Sequence, residues 1–167
     1  MLAALDVAYG PQGAAAACVL FRDWTDAAEA ETRIALVADV APYEPGAFYR
    51  RELPCLLAVL ALVSGPLEAI VVDGYVWLSA DGRAGLGAHL YEALDRRVPI
   101  VGVAKTSFTG SAFAETVLRG GSARPLHVTA AGVAAPAAAR WIEAMHGAYR
   151  LPTLLKRVDR LCRDALG

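Results

Sequence analysis

Ala69-Ile70-Val71-Val72-Asp73-Gly74 decides how the rest of this chain is read. Four apolar residues, three of them β-branched, run without alternation into a carboxylate and a glycine. An unbroken apolar run of this length predicts a strand covered on both faces, as in the middle of a parallel or mixed sheet. Asp73 then falls at the carboxyl end of that strand, where open α/β sheets place ligands. Gly74 allows a tight turn or the close approach of another backbone. Taken alone, Asp73 is equally well read as a cap on the segment that follows. The other acids of the chain bear on that choice.

The chain upstream predicts three strands at residues 2–9, 14–22 and 33–40. The first two are separated only by a turn containing Gly10-Pro11, which favours antiparallel pairing. Pro42 and Pro45 then forbid regular structure. Beyond them the rhythm changes to helices and strands in alternation. Helices are predicted over most of 47–64 and over 86–96, 136–145 and 151–166; strands are predicted at 69–73, 98–104 and 126–129. Three antiparallel strands followed by βα units predict a ribonuclease H-like α/β fold, with a mixed five-stranded sheet flanked by helices. The 167 residues are expected to form a single domain, 1–167.

Composition narrows the function. A hydrophobic content of 56% and a mean hydropathy of +0.40 exclude a disordered chain. The longest apolar runs, 14–21 and 55–63, are too short to cross a bilayer, and no signal-peptide layout follows Met1. Cys18, Cys55 and Cys162 are odd in number and widely spaced, which suits buried thiols in a reducing cytoplasm rather than a disulfide framework. A net charge of −1 gives no global attraction to nucleic acid. No serine lies in a G-x-S-x-G context, no G-x-G-x-x-G follows a strand, and no His/Cys cluster suggests zinc.

The acids remain. Asp6 lies mid-strand, on the side of Ala4 and Ala8, where a charge needs compensation. Glu52 follows Phe48 and precedes Leu56 at helical spacing, in a register that Pro54 disturbs. Asp159 falls within the stripe Leu151, Leu155, Cys162 and Leu166 and can also pair with Arg163 at i+4. With Asp73, these are four carboxylates on separate elements, accompanied by one basic candidate at a strand end, Lys105. Two charges 4 Å apart repel by roughly 4 kcal/mol at an effective dielectric of 20. Mg²⁺, held by one or two carboxylates with waters and phosphate oxygens, relieves such repulsion and suits phosphodiester cleavage.

Five short motifs in order carry a resemblance: Leu5-Asp6-Val7-Ala8-Tyr9; Pro42-Tyr43-Glu44-Pro45-Gly46 with Phe48-Tyr49-Arg50-Arg51-Glu52-Leu53-Pro54; Val72-Asp73-Gly74; Gly102-Val103-Ala104-Lys105; and Arg150-Leu151-Pro152. Over nearly its whole length the chain resembles the endonuclease V family of ribonuclease H-like nucleases. The resemblance implies that Asp6, Glu52 and Asp73 are metal ligands, with Mg²⁺ as the cofactor and Mn²⁺ able to substitute. It implies that Asp159 replaces a family histidine at the metal site and that Lys105 neutralises the scissile phosphate. Tyr43 would be the aromatic wedge that fills the gap of a displaced base. Gly46, Gly74 and Tyr75 complete the implied nucleic-acid-binding set. The implied function is cleavage of single-stranded or locally opened DNA or RNA near inosine or other altered bases, in DNA repair or RNA processing. The alternative is a non-cleaving nucleic-acid-binding protein of the same fold. Two departures stand out: Val76 occupies a position where the family has glycine, and the family's H-P-R is missing after it. A β-branched side chain there is expected to narrow the base pocket and weaken selection for inosine.

Overall fold

The computed structural model describes residues 1–167. Its centre is a seven-stranded mixed sheet. The strands are β1 (Leu2–Gly10), β2 (Gly13–Phe21), β3 (Glu31–Val37), β4 (Ala69–Asp73), β5 (Ile100–Ala104), β6 (Glu115–Val117) and β7 (Leu126–Ala131), in the order β3-β2-β1-β4-β5-β7-β6. The first five in that order are the expected ribonuclease H-like sheet: β1, β2 and β3 form the antiparallel meander, and β4 and β5 run parallel to β1. The sheet is larger than the five strands expected. β7 pairs antiparallel with β5, and the three-residue β6 pairs with β7. β6 is too short to carry a periodicity of its own and exists because β7 offers it an edge.

Helices cover both faces. On one face α1 (Tyr49–Leu60) and α2 (Leu86–Ala93) pack Cys55, Leu56, Val59, Ala88 and Leu90 against Leu5, Ile70, Val72 and Ile100. On the other, α3 (Ala135–Ala144) and α4 (Thr153–Asp164) pack Ile142, Leu154, Leu155 and Val158 against Ala4, Val71, Val101 and Val103. Burial on both sides is why β4 and β5 read as unbroken apolar runs. Pro54 sits inside α1 without ending it. It has no N–H to offer the Arg50 carbonyl, and the helix continues on its apolar face.

Strand parity sets up the functional edge. Ala4, Val71 and Val103 face α3 and α4, so Asp6, Asp73 and Lys105, each two residues further on, continue toward the same face. β1 pairs with β4 only from Leu2 to Leu5, in the register Leu5↔Val72, yet continues to Gly10 against β2. Asp6 thus lies just beyond the last rung, level with Asp73, at the opening of the sheet. A mid-strand acid reaches a cleft because its neighbour has ended.

Candidate active site

The cleft, about 680 Å³ in volume, opens over the carboxyl ends of β1 and β4 and is lined by Asp6, Tyr9, Glu52, Asp73, Lys105 and Asp159. All four predicted acids and the predicted lysine share one opening. They arrive from two sides. Asp6 and Asp73 come from the sheet and Asp159 from α4. Glu52 comes over the edge from α1, which covers the opposite face. Just before Glu52 on α1, the Arg51 guanidinium lies 3.7 Å from the centre of the Tyr9 ring. That contact holds the first turn of α1 against β1, and with it Glu52.

The acids fall into two electrostatic classes. Asp73 accepts a hydrogen bond from the Lys105 ammonium at 2.8 Å, and Asp159 accepts one from Arg163 at 3.0 Å. Asp6 and Glu52 have no such cation. Burial, then the charges of Asp73 and Asp159, push the Asp6 carboxyl up to about 7; a hydrogen bond from the Val7 N–H only partly offsets this. Burial, then Asp6 and Asp73, push Glu52 up to about 8. For Lys105, burial alone works against the charged form, but the bond to Asp73 and the charges of Asp73, Asp6 and Asp159 outweigh it and hold the ammonium above its ordinary range. Inside the stripe and paired with Arg163, Asp159 fulfils both readings that its sequence position allows.

No three His, Cys, Asp or Glu side chains are gathered closely enough to cage an ion by themselves. The donor set nevertheless fits a divalent cation. It consists of hard carboxylate oxygens, with Glu52 buried and Asp6 half-buried and neither bonded to a cation, and Mg²⁺ needs only one or two protein carboxylates.

Beside the cleft and sharing Asp73 and Gly74 with it, a second pocket of about 240 Å³ is lined by Gly46, Phe48, Tyr49, Tyr75, Leu78 and Leu86, among others. Gly74 holds φ = +116°, and a Cβ there would meet nothing within 4 Å, so the backbone at this lip is open to a ligand. Tyr43 is 60% exposed in the proline-rich loop before α1. Tyr75 donates its hydroxyl proton to the Thr106 carbonyl at 2.7 Å and meets Phe108 edge-to-face.

Val76 does not narrow this pocket as expected. Its side chain is fully buried in the core beneath α2 and does not line the pocket. A Cβ on Gly87 would lie 2.6 Å from Val76 Cγ2, and the Val76 N–H donates to Thr129 Oγ1 at 2.8 Å. After the turn at Gly74, Tyr75 faces the pocket and Val76 the interior. Gly102 makes room for this turn, since a Cβ there would lie 2.6 Å from the Gly74 carbonyl oxygen.

Two arginines position the site: Arg119, which sequence reasoning overlooked, and Arg150, which entered it only as part of the Arg150-Leu151-Pro152 motif and with no role. Arg119 is buried, and its guanidinium donates to the carbonyls of Tyr149 (3.0 Å), Gly147 (3.3 Å) and Met145, fixing the chain that leads into α4. Arg150 donates to the carbonyls of Arg124 and Pro125, each at 2.9 Å, and of Lys105. Neither has an acidic partner, so no charge pattern in the sequence marks them.

The endonuclease V family matches residues 1–141. Endonuclease V of Streptomyces coelicolor is 36% identical, over 97% of this chain and 77% of its own. That of Xanthomonas axonopodis is 33% identical over 96% of this chain and 76% of its own. The crystal structure of endonuclease V from Streptomyces avermitilis superposes with a TM-score of 0.77 at 28% identity, covering 99% of this chain and 80% of that one. Endonuclease V of Ciona intestinalis, solved in complex with a 24mer DNA containing an inosine followed by a ribo-adenosine, superposes with a TM-score of 0.83 at 17% identity, covering 99% and 84%. The last likeness is one of fold.

Proposed function

Because the chain belongs to the endonuclease V family, we propose that it is a metal-dependent endonuclease that hydrolyses phosphodiester bonds in nucleic acid near altered bases, with Mg²⁺ as its natural ion. The observation that carries this reading is the convergence of Asp6, Glu52, Asp73, Asp159 and Lys105 on one cleft at the sheet's carboxyl edge. Asp6, Glu52 and Asp73 are the residues that would hold the ion, with Asp159 beside them. Once bound, it supplies Lewis-acid polarisation of the phosphate and lowers the pKa of the attacking water.

The chain's own groups do the rest. Lys105, the charged group nearest Asp73, is placed to meet the scissile phosphate and stabilise its developing charge. The open backbone at Gly74, with Gly46 and Tyr75 around it, offers the neighbouring pocket to an extruded base. Exposed Tyr43 supplies a flat ring for the gap such a base leaves. With Val76 turned inward, nothing from that side chain obstructs a base such as inosine. The whole chain, 1–167, acts as one unit, since both cores share one sheet. No helix is long and apolar enough to cross a membrane. A reducing cytoplasm suits its three free, buried cysteines.

A second reading, a nucleic-acid-binding protein that does not cleave, draws on one observation: the acids are not gathered into a ready cage. A panel of strands containing inosine, uracil, an abasic site or no modification, each with Mg²⁺, Mn²⁺ or chelator, separates the two. Metal-dependent nicking near the altered base supports the nuclease. Binding with no product under any metal supports the second reading.

A further inference from the structure

Helix α4 carries four cations that do not share one task. Arg157 donates to Glu29 at 2.8 Å and ties the helix to the loop before β3. Arg163 lines the cleft and is bonded to Asp159. Arg160 projects into solvent and meets only the exposed Asp164, at 3.5 Å. An exposed pair of that length contributes little and leaves the guanidinium available. Lys156 has no acidic partner; its ammonium rests 4.0 Å from the centre of the Tyr149 ring, and Tyr149 is 67% exposed.

Positions 156, 160 and 163 are spaced i, i+4 and i+7, so these three side chains form one stripe, about 10 Å long at 1.5 Å per residue. The core face of the helix, with Leu154, Leu155, Val158 and Cys162, is separate, so the stripe is not there for packing. A net charge of −1 for the whole chain means that a basic stripe is a local feature and not the background. It begins in the cleft at Arg163 and ends beside an exposed aromatic ring. Ammonium and guanidinium groups in a line, with a flat ring at the end, match a strand that presents phosphates at regular intervals and bases between them.

We propose that Arg163, Arg160 and Lys156 form the track along which a single-stranded arm of the substrate runs from the cleft, with Tyr149 stacking on a base at its far end. The proposal rests on the reading of the cleft as the nuclease site and names the surface that the substrate covers outside it.

The test is fluorescence anisotropy on the full chain without Mg²⁺, using a labelled single-stranded oligonucleotide long enough to extend beyond the cleft, across a range of salt. The variant K156Q/R160Q is expected to reduce the slope of log affinity against log salt by roughly 0.7 for each cation removed. Y149A is expected to weaken binding about tenfold with little change in slope. R97Q removes one exposed charge at the opposite end of the sheet and should leave both unchanged. All four side chains are on the surface, so circular dichroism should show an intact fold. An unchanged slope in K156Q/R160Q, or an equal fall in R97Q, overturns the track. So does competition by poly-aspartate as effective as that of unlabelled oligonucleotide, together with normal binding by Y149A, which would assign the stripe to an acidic protein surface. Stripe-dependent binding by a chain that never cleaves would sink the nuclease reading alone; normal cleavage with no stripe dependence would sink only the track.

Discussion

Asp73 and Asp159 are each bonded to a cation, whereas the more deeply placed Asp6 and Glu52 are bonded to none. Lys105 and Arg163 reach Asp73 and Asp159 at 2.8 and 2.9 Å, at positions open to solvent. Asp6 and Glu52 lie deeper and are pushed up to about 7 and about 8, first by burial and then by neighbouring acids. The metal-free protein therefore balances its outer acids internally and leaves its inner acids short of positive charge. A fold gains nothing from one buried and one half-buried carboxylate in that state. Their retention makes sense where a divalent cation supplies the missing charge.

Removing an inner acid should break this contrast most severely. D6N and E52Q each keep the shape and remove a ligand, and each is expected to lower metal-dependent cleavage by more than about 1000-fold. At pH 8 the same variants should melt no lower than the parent without metal, because they remove a charge that the fold does not compensate. Cleavage assays paired with thermal melts check both halves. A large loss of metal-free stability would make these acids structural.

The pH dependence of the metal-free protein reads the same two groups. Their folded pKa values lie above the ordinary carboxylate range, so folding favours their protonated forms. The benefit is complete below about pH 4, where both states hold the proton, and is lost as pH rises through about 7 for Asp6 and about 8 for Glu52. Denaturant titrations should find these two groups lowering stability by a few kcal/mol in sum between pH 4 and pH 8. D6N should flatten that fall.

Val76 sharpens the contrast from outside the cleft. V76A removes two buried methyl-sized groups and should cost about 1–2 kcal/mol in stability, leaving the preference between inosine and guanine strands unchanged. A shift in that preference would place Val76 in the pocket after all. The smallest effect should come from R163Q. Its ion pair is exposed and joined at i+4, so chemical denaturation should show a change within about 0.5 kcal/mol.

Much of this was legible in the chain. Asp73 and Lys105 stand where unbroken apolar runs end, and strand parity carries both toward α4. The three-strand opening and the four helices lie close to where periodicity places them. What escaped depends on neighbours. β6 is three residues long and forms only against β7. The facing of Val76 is set by the positive φ of Gly74 and by the space that Gly102 leaves. Arg119 and Arg150 bind carbonyl oxygens, which every residue possesses, so no residue pattern announces these contacts, even though Arg150 stands in a quoted motif.

The most direct measurement is calorimetric titration of Mn²⁺ into the parent chain, D6N and R163Q at one pH. Saturable binding by the parent, weakened at least about tenfold in D6N and nearly unchanged in R163Q, is expected if the inner acids seat the ion. Equal affinity in the parent and D6N, or no saturable binding by the parent, would contradict the claim that Asp6 awaits a metal.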